Sequence, residues 1–451
     1  MVLSPEDKQL ALWQMEDLQQ RLAQYLKPFL ELLTHSHQQF YAEVYFKGRF
    51  PSAARRTSEP VARAAKVDPR GLQYFISESR WKDRTLRDAM RDQMRKKMGS
   101  KNGVLIVDAS ACAKSGNNTV GVKRQYNGRL GKIDNCVVGE YLAYASSGSV
   151  TLVDCELYLP KEWIEDEDRR QKCHIPEDTV FKEGHVIALD LVLRHADELP
   201  HAATVGDEAY GKVDGFRDGL RKKAERYLGE IPSNRTMRLA SGGDWVHANE
   251  LGEALLNEKA EEFISRDSER GPVELKAAKC RVFTGRAAVK GVAQPDVAEV
   301  FVVVRNVHDS KTWYYLGTDD KTPLKEWVRI GSCRTGIEYA FQMAKGEVGM
   351  AEYEMRSHMG WHHHMTLSIM ALWFLVGEAR WLKKRGYACP PAKFEELWPT
   401  SINEFGLRPS LLGNPSGSGG ETTPPERSAT ALEESGVRRA PKSVSRGSRR
   451  P

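Results

Sequence analysis

The sequence predicts an α/β fold in which a helical N-terminal segment precedes a sheet-based domain carrying a β-rich insertion. Three observations lead there. Apolar residues recur at helical spacing through the first hundred positions. Short apolar runs separated by Gly/Ser turns take over at Val104, and strand-like and helical segments then alternate as far as residue 233. With 451 residues, 40% of them hydrophobic, the chain can bury a large core and fill two or three domains.

In residues 1–100, Leu10, Leu12, Trp13, Met15 and Leu18 lead into Leu22, Tyr25, Leu26 and the run 29–33, and residues 85–98 form a further helix. Residues 104–107 are expected as a buried strand ending on Asp108, and 135–145 as a second. Over 150–160, Thr151, Val153, Cys155, Leu157 and Leu159 alternate with polar Asp154 and Glu156, which predicts a strand with one buried face. Residues 181–196 read as a helix with Val186, Leu189 and Leu193 on one face. A brief strand at 203–205 ends at Gly206 and Asp207. A helix with Phe216, Leu220 and Ala224 follows, then a strand at 227–231. Three antiparallel strands, helix, strand, helix, strand is the order of an RNase H-like domain, although several α/β folds share most of it.

Residues 234–330 are more β-like, with 297–307 and 313–316 as the clearest strands, and read as an insertion. Helices resume over 336–345 and 365–384. The expected division is a helical DNA-binding segment 1–100, a catalytic part 101–233, the insertion 234–330, a second catalytic part 331–390 and a C-terminal segment 391–451. After Leu412 the Gly, Ser, Pro and Arg content predicts a disordered basic tail, because too little apolar surface is left to offset chain entropy.

Lys and Arg number 67 against 61 Asp and Glu, a formal charge of +6 that does not by itself announce a nucleic-acid binder. Residues 80–101 concentrate nine cations against Asp83, Asp88 and Asp92; a phosphate-binding patch and a solvated helix face both fit. The seven cysteines form no CxxC pair, so they suggest neither a zinc site nor a disulfide framework. The N-terminus lacks a signal-peptide core, and the apolar run 365–376 is short for a bilayer span. No GxxxxGK[ST] or GxGxxG motif points to a nucleotide cofactor.

Phosphodiester chemistry needs an activated oxygen nucleophile and a stabilised leaving oxygen. Two divalent ions roughly 4 Å apart supply both, held by clustered carboxylates. Asp108 and Asp207 each end an apolar strand, where an acid is costly unless it faces a polar site or a metal; capping a turn is the alternative. Adjacent parallel strands would bring both to one sheet edge. Arg334, Glu338 and Lys345 fall near one helix face beside Ile337, Phe341 and Ala344, which fits either a third ligand between two cations or an ion-pair stripe.

Arg334-x3-Glu338-x6-Lys345 resembles most of the Tyr-x2-Arg-x3-Glu-x6-Lys signature of IS4-group transposases, with Gly331 in place of the tyrosine. The resemblance extends further to IS701-type transposases of bacterial insertion sequences, over roughly residues 25 to 385. It is carried by Val107-Asp108, Lys114-Ser115-Gly116, the blocks 120–126 and 131–136, 157–163, Gly206-Asp207-Glu208-Ala209-Tyr210-Gly211, 360–367 and 75–81. Ala111-Cys112-Ala113 departs from the family's usual residues after the first aspartate. The resemblance implies a DDE transposase with Asp108, Asp207 and Glu338 as catalytic and metal-binding acids for two Mg²⁺ or Mn²⁺ ions. Arg334 and Lys345 would contact DNA phosphates. It also implies double-stranded DNA partners (terminal inverted repeats and target), a homodimer pairing two ends, no membrane partner, and a bacterial, cytoplasmic, nucleoid-associated protein.

Lys123, Arg124 and Tyr126 follow the first strand as a candidate DNA-contacting loop, with simple solvent exposure as the alternative. Consecutive helical residues point about 100° apart, so His362, His363 and His364 cannot share one ion; a structural or phosphate-contacting role is expected, with His364 nearest the site. Trp313 and Trp327 are read as core aromatics, base stacking being the alternative. Two rival functions remain: a non-catalytic DNA-binding regulator derived from such an element, and an RNase H-like nuclease without strand transfer.

Overall fold

The computed structural model describes residues 5–50, 55–128, 130–268, 271–286 and 295–385, all within one compact unit spanning Met1–Leu407. Helices α1 (Pro5–Leu30), α2 (Ser36–Lys47), α3 (Ser58–Ala64), α4 (Pro69–Ser77) and α5 (Asp83–Met98) come first. Strands β1 (Val104–Ala113), β2 (Lys123–Asn127), β3 (Lys132–Ser146) and β4 (Ser149–Leu157) follow. Then come α6 (Lys161–Glu165), α7 (Glu167–Lys172), α8 (Gly184–His195), β5 (Ala203–Gly206), α9 (Glu208–Gly211), α10 (Asp214–Lys222) and β6 (Tyr227–Ile231). Beyond these lie β7 (Thr236–Leu239), β8 (Val246–His247), α11 (Ala248–Lys259), β9 (Glu261–Ser268), β10 (Gly271–Thr284), β11 (Val297–Asn306) and β12 (Thr312–Gly317). Helices α12 (Leu324–Ser332), α13 (Gly336–Gly346) and α14 (His358–Lys384) end the described chain. The expected basic tail lies outside the described residues.

β1 and β4 both pair antiparallel with residues 139–145 of β3, so they occupy its two edges. β5 pairs parallel with β1, and β6 parallel with β5. The central order is therefore β4-β3-β1-β5-β6, which fits an RNase H-like nuclease fold. The sheet does not stop there. β12 pairs antiparallel with β6, and β11 and β10 follow, so the strands over 234–330 prolong the same sheet. A buried knot fixes this extension: Glu299 on β11 accepts from Arg217 Nε of α10 (2.9 Å) and Tyr227 Oη of β6 (2.6 Å).

Several sequence expectations change. β1 continues past Asp108 to Ala113, because β3 goes on pairing with it. Lys123, Arg124 and Tyr126 lie on strand β2, paired with residues 132–136 of β3, and not on a loop. β4 does not expose a polar face. Asp154 is fully buried, where Arg84 and Arg87 of α5 and Arg194 and His195 of α8 surround it. Part of the basic run at 80–101 is thus consumed inside the fold: Arg87 is 3% exposed.

Apolar length alone also misleads at α14. The 27-residue helix is long and apolar enough to cross a membrane, unlike the shorter run expected, yet 72% of its most apolar window is buried within the protein. It packs as a core helix across β4, α4 and α5.

Candidate active site

The parallel register sets Val107 of β1 opposite Gly206 of β5. The next residue on each chain is an aspartate. Neighbouring strands lie about 4.8 Å apart, so Asp108, still within β1, and Asp207, the first residue beyond β5, stand side by side at the C-terminal end of β5. Asp108 accepts the Ala109 N–H (2.7 Å). Asp207 caps α9 by accepting the Ala209 N–H (2.9 Å), which fixes its side chain at the turn. Gly206 is needed at this crossing, since a Cβ there would meet Val107 Cγ2 at 3.0 Å.

Both carboxyls are short of solvation. Burial and the adjacent charge of Asp207 push Asp108 up to about 8. Burial also raises Asp207, against the opposing effects of the Ala209 N–H and Arg334.

Glu338 sits in the first turn of α13. That helix begins against the sheet: a Cβ on Gly336 would lie 3.5 Å from Val150 and 3.7 Å from Ile106. Glu338 is 57% exposed, and its Oε1 is 3.1 Å from Arg334 Nη1. Arg334 Nε is in turn 3.3 Å from Glu230 Oε2, and its charge is felt by Asp108 and Asp207. Arg334 therefore links the acids of this edge. The three expected ligands are brought to one region but not into close contact. Among the described residues, the group of three His, Cys, Asp or Glu donors whose ligand atoms all lie within 4.8 Å of one another is Glu156, His358 and His362.

Two further acids escaped the sequence reading. Glu140 on β3 is 4% exposed, hydrogen-bonded to the Tyr210 hydroxyl, and raised to about 7 by burial, with Asp207 adding to the rise. Glu230 near the end of β6 is raised by burial, with Arg334 opposing. The signal for Glu140 was present: an acid inside Val137-Val138-Gly139-Glu140-Tyr141-Leu142 is as costly to bury as Asp108.

The remaining candidates divide. Lys345 Nζ donates to the Ala111 carbonyl of β1 (3.0 Å), which ties the far end of α13 to the strand bearing Asp108. Lys123 is paired with Glu162 (2.6 Å), while Arg124 is exposed and Tyr126 is 65% exposed on β2. His364 corrects an expectation. It is fully buried, its Nε2 lies 2.9 Å from the Met350 carbonyl and its Nδ1 2.7 Å from the Tyr45 hydroxyl, so it cannot meet DNA. The carbonyl can only accept, so Nε2 carries the hydrogen and Nδ1 accepts from Tyr45. His363 is likewise buried between the carbonyls of Ile76 and Trp81. Trp327 is a core residue; Trp313 is half-buried beneath the Lys311 ammonium.

Residues 28–243 match the family described as DDE superfamily endonuclease, a segment holding Asp108, Glu140 and Asp207 but not Glu338. The chain is 24% identical over 311 residues to the probable transposase for insertion sequence element IS701 from Microchaete diplosiphon, covering 67% of this chain and 73% of that protein. A solved structure, the NurA nuclease from Sulfolobus solfataricus, aligns at 9% identity with a TM-score of 0.26, covering 55% of this chain and 80% of that one. The family match and the IS701 relative together support an enzyme of the DDE endonuclease class. The chain's likeness to the IS701 transposase supports, within that class, a transposase of the IS701 type.

Proposed function

We propose that this enzyme cleaves DNA at the ends of an insertion element and joins the freed 3′ ends to target DNA, with Asp108, Asp207 and Glu338 as its metal-holding acids. The observation that carries this reading is the pairing of Val107 with Gly206, which sets two aspartates abreast on parallel strands. The donor set fits hard divalent cations. Carboxylate oxygens suit Mg²⁺ or Mn²⁺, and two part-buried carboxyls raised by burial and repulsion are the groups that a cation relieves. When bound, a pair of such ions would activate the attacking oxygen and stabilise the leaving one.

The chain's own residues supply the rest. Arg334 offsets part of the acids' charge and, beside Lys345, offers cations to the phosphates of the DNA end. Arg124, Lys123 and Tyr126 extend this surface along β2. A homodimer holding two element ends in the bacterial cytoplasm completes the proposal.

The test supplies Mg²⁺, a pre-cleaved end with a 3′-hydroxyl and a supercoiled target. Joined products are expected. Nicking of uncleaved ends without any joining would favour the nuclease reading, and binding with neither reaction the regulator.

A further inference from the structure

Outside the acids of the sheet edge, the first turn of α14 carries His358 and His362. Four residues apart, they share one face of the helix. Their rings lie 4.6 Å apart, and that face meets Glu156 on β4. The ligand atoms of Glu156, His358 and His362 all lie within 4.8 Å of one another. We propose that these three residues form a second metal site that takes a borderline transition cation, Zn²⁺ foremost, and pins α14 to the edge of the sheet.

His362 carries the argument beyond proximity. It is 7% exposed, and its Nδ1 has no hydrogen-bond partner among the described residues. Its Nε2 stands 3.1 Å from Glu156 Oε1. A buried imidazole with Nδ1 unsatisfied and Nε2 turned onto a carboxylate is a ligand in waiting, and a cation between it and Glu156 satisfies both groups.

Two imidazoles and one carboxylate are a zinc donor set, with a fourth position open to water. Glu156 is 32% exposed on its side chain, which leaves a path for the ion. Asp83, in the first turn of α5, feels the charge of His362 and His363 from the other side. Arg84, Arg87 and Arg194 are drawn onto Asp154, and Arg194 reaches the other carboxylate oxygen of Glu156 only at 3.9 Å, which leaves Oε1 to the imidazoles. The site is separate from the catalytic acids. Glu156 pairs with Glu140 on β3, and β1 lies one strand further, so about 10 Å of sheet separates it from Asp108.

The full chain, stripped with a chelator, is dialysed against limiting Zn²⁺ in excess Mg²⁺, which occupies hard carboxylate sites, and bound zinc is counted. One equivalent is expected in the wild type, with uptake weakened at least tenfold by Glu156→Gln and by His358→Ala. Melting curves without zinc establish that both variants are folded. X-ray absorption at the zinc edge of the wild type needs no variant and is expected to find two imidazoles on the ion. No zinc in the wild type, undiminished uptake in both variants, or fewer than two imidazoles would overturn the proposal; catalytic loss in Asp207→Asn would not bear on it.

Discussion

Arg334 Nη1 stands 3.1 Å from Glu338 Oε1, so the acid expected to complete the catalytic set is held by the cation one turn before it. The same guanidinium reaches Glu230 and lowers both Asp108 and Asp207. Removing it leaves those carboxyls higher. Arg334→Gln should therefore move the acid limb of the nicking profile to higher pH, by about half to one pH unit. Nicking rates measured from pH 6 to 9 check this, and an unmoved limb would detach Arg334 from the aspartates.

The burial of Asp108, with the adjacent charge of Asp207, should cost stability in the absence of metal. Asp108 is raised in the folded chain, so the native state holds a proton that the unfolded chain has released between about pH 4 and about 8. Stability from this group is complete below that window and is lost as pH rises through it. At pH 8.5 in chelator, Asp108→Asn should be the more stable protein, by on the order of 1 kcal/mol or more. Urea unfolding at pH 8.5 and pH 5 reads the difference, which should shrink at the lower pH.

Asp154 has the opposite sign. It is fully buried and, against its burial, held well below the usual carboxylate range by Arg87, His195 and Arg84. Asp154→Ala leaves the buried Arg87 with Asp83 as its one acidic partner and should destabilise by about 3 kcal/mol. Its contribution is present above the unfolded pKa and is lost only in strong acid. A urea midpoint unchanged from wild type would show that the cluster is not structural.

Much of this was legible in the sequence, for identifiable reasons. Asp108 and Asp207 stood out because each follows an apolar run, and an acid there demands an explanation. The succession of strands and helices along the central part of the chain, without β2, was read from periodicity, while their pairing order was not. What was hidden depends on partners distant in the chain. Asp154 and Glu156 read as a solvent face because alternation cannot reveal that four basic side chains from α5 and α8 cover Asp154. Spacing showed that His362, His363 and His364 cannot share an ion, but only packing separates His364, held by Tyr45 and Met350, from His362, turned toward Glu156. Glu140 was missed although the burial argument used for Asp108 applied to it.

On β2, Arg124 and Tyr126 face solvent on strand positions paired with Asn135 and Ile133. Arg124→Ala and Tyr126→Ala should each weaken binding to element-end DNA by roughly three- to tenfold, with melting temperature unchanged. The arginine variant should also lower the salt slope by about one. Fluorescence anisotropy between 50 and 200 mM salt (about the range over which phosphate contacts are lost) checks both. Undiminished binding would make β2 a plain solvent edge.

The central claim is that Asp108, Asp207 and Glu338 act on DNA as one metal-dependent unit. Its most direct measurement is Mg²⁺-dependent nicking of element-end DNA by Asp108→Asn, Asp207→Asn and Glu338→Gln, each assayed with DNA binding in parallel. Each variant is expected to bind within a few-fold of wild type and to nick at least about a hundredfold more slowly, on the order of 3 kcal/mol of lost transition-state stabilisation. Any one of the three nicking at the wild-type rate would contradict it.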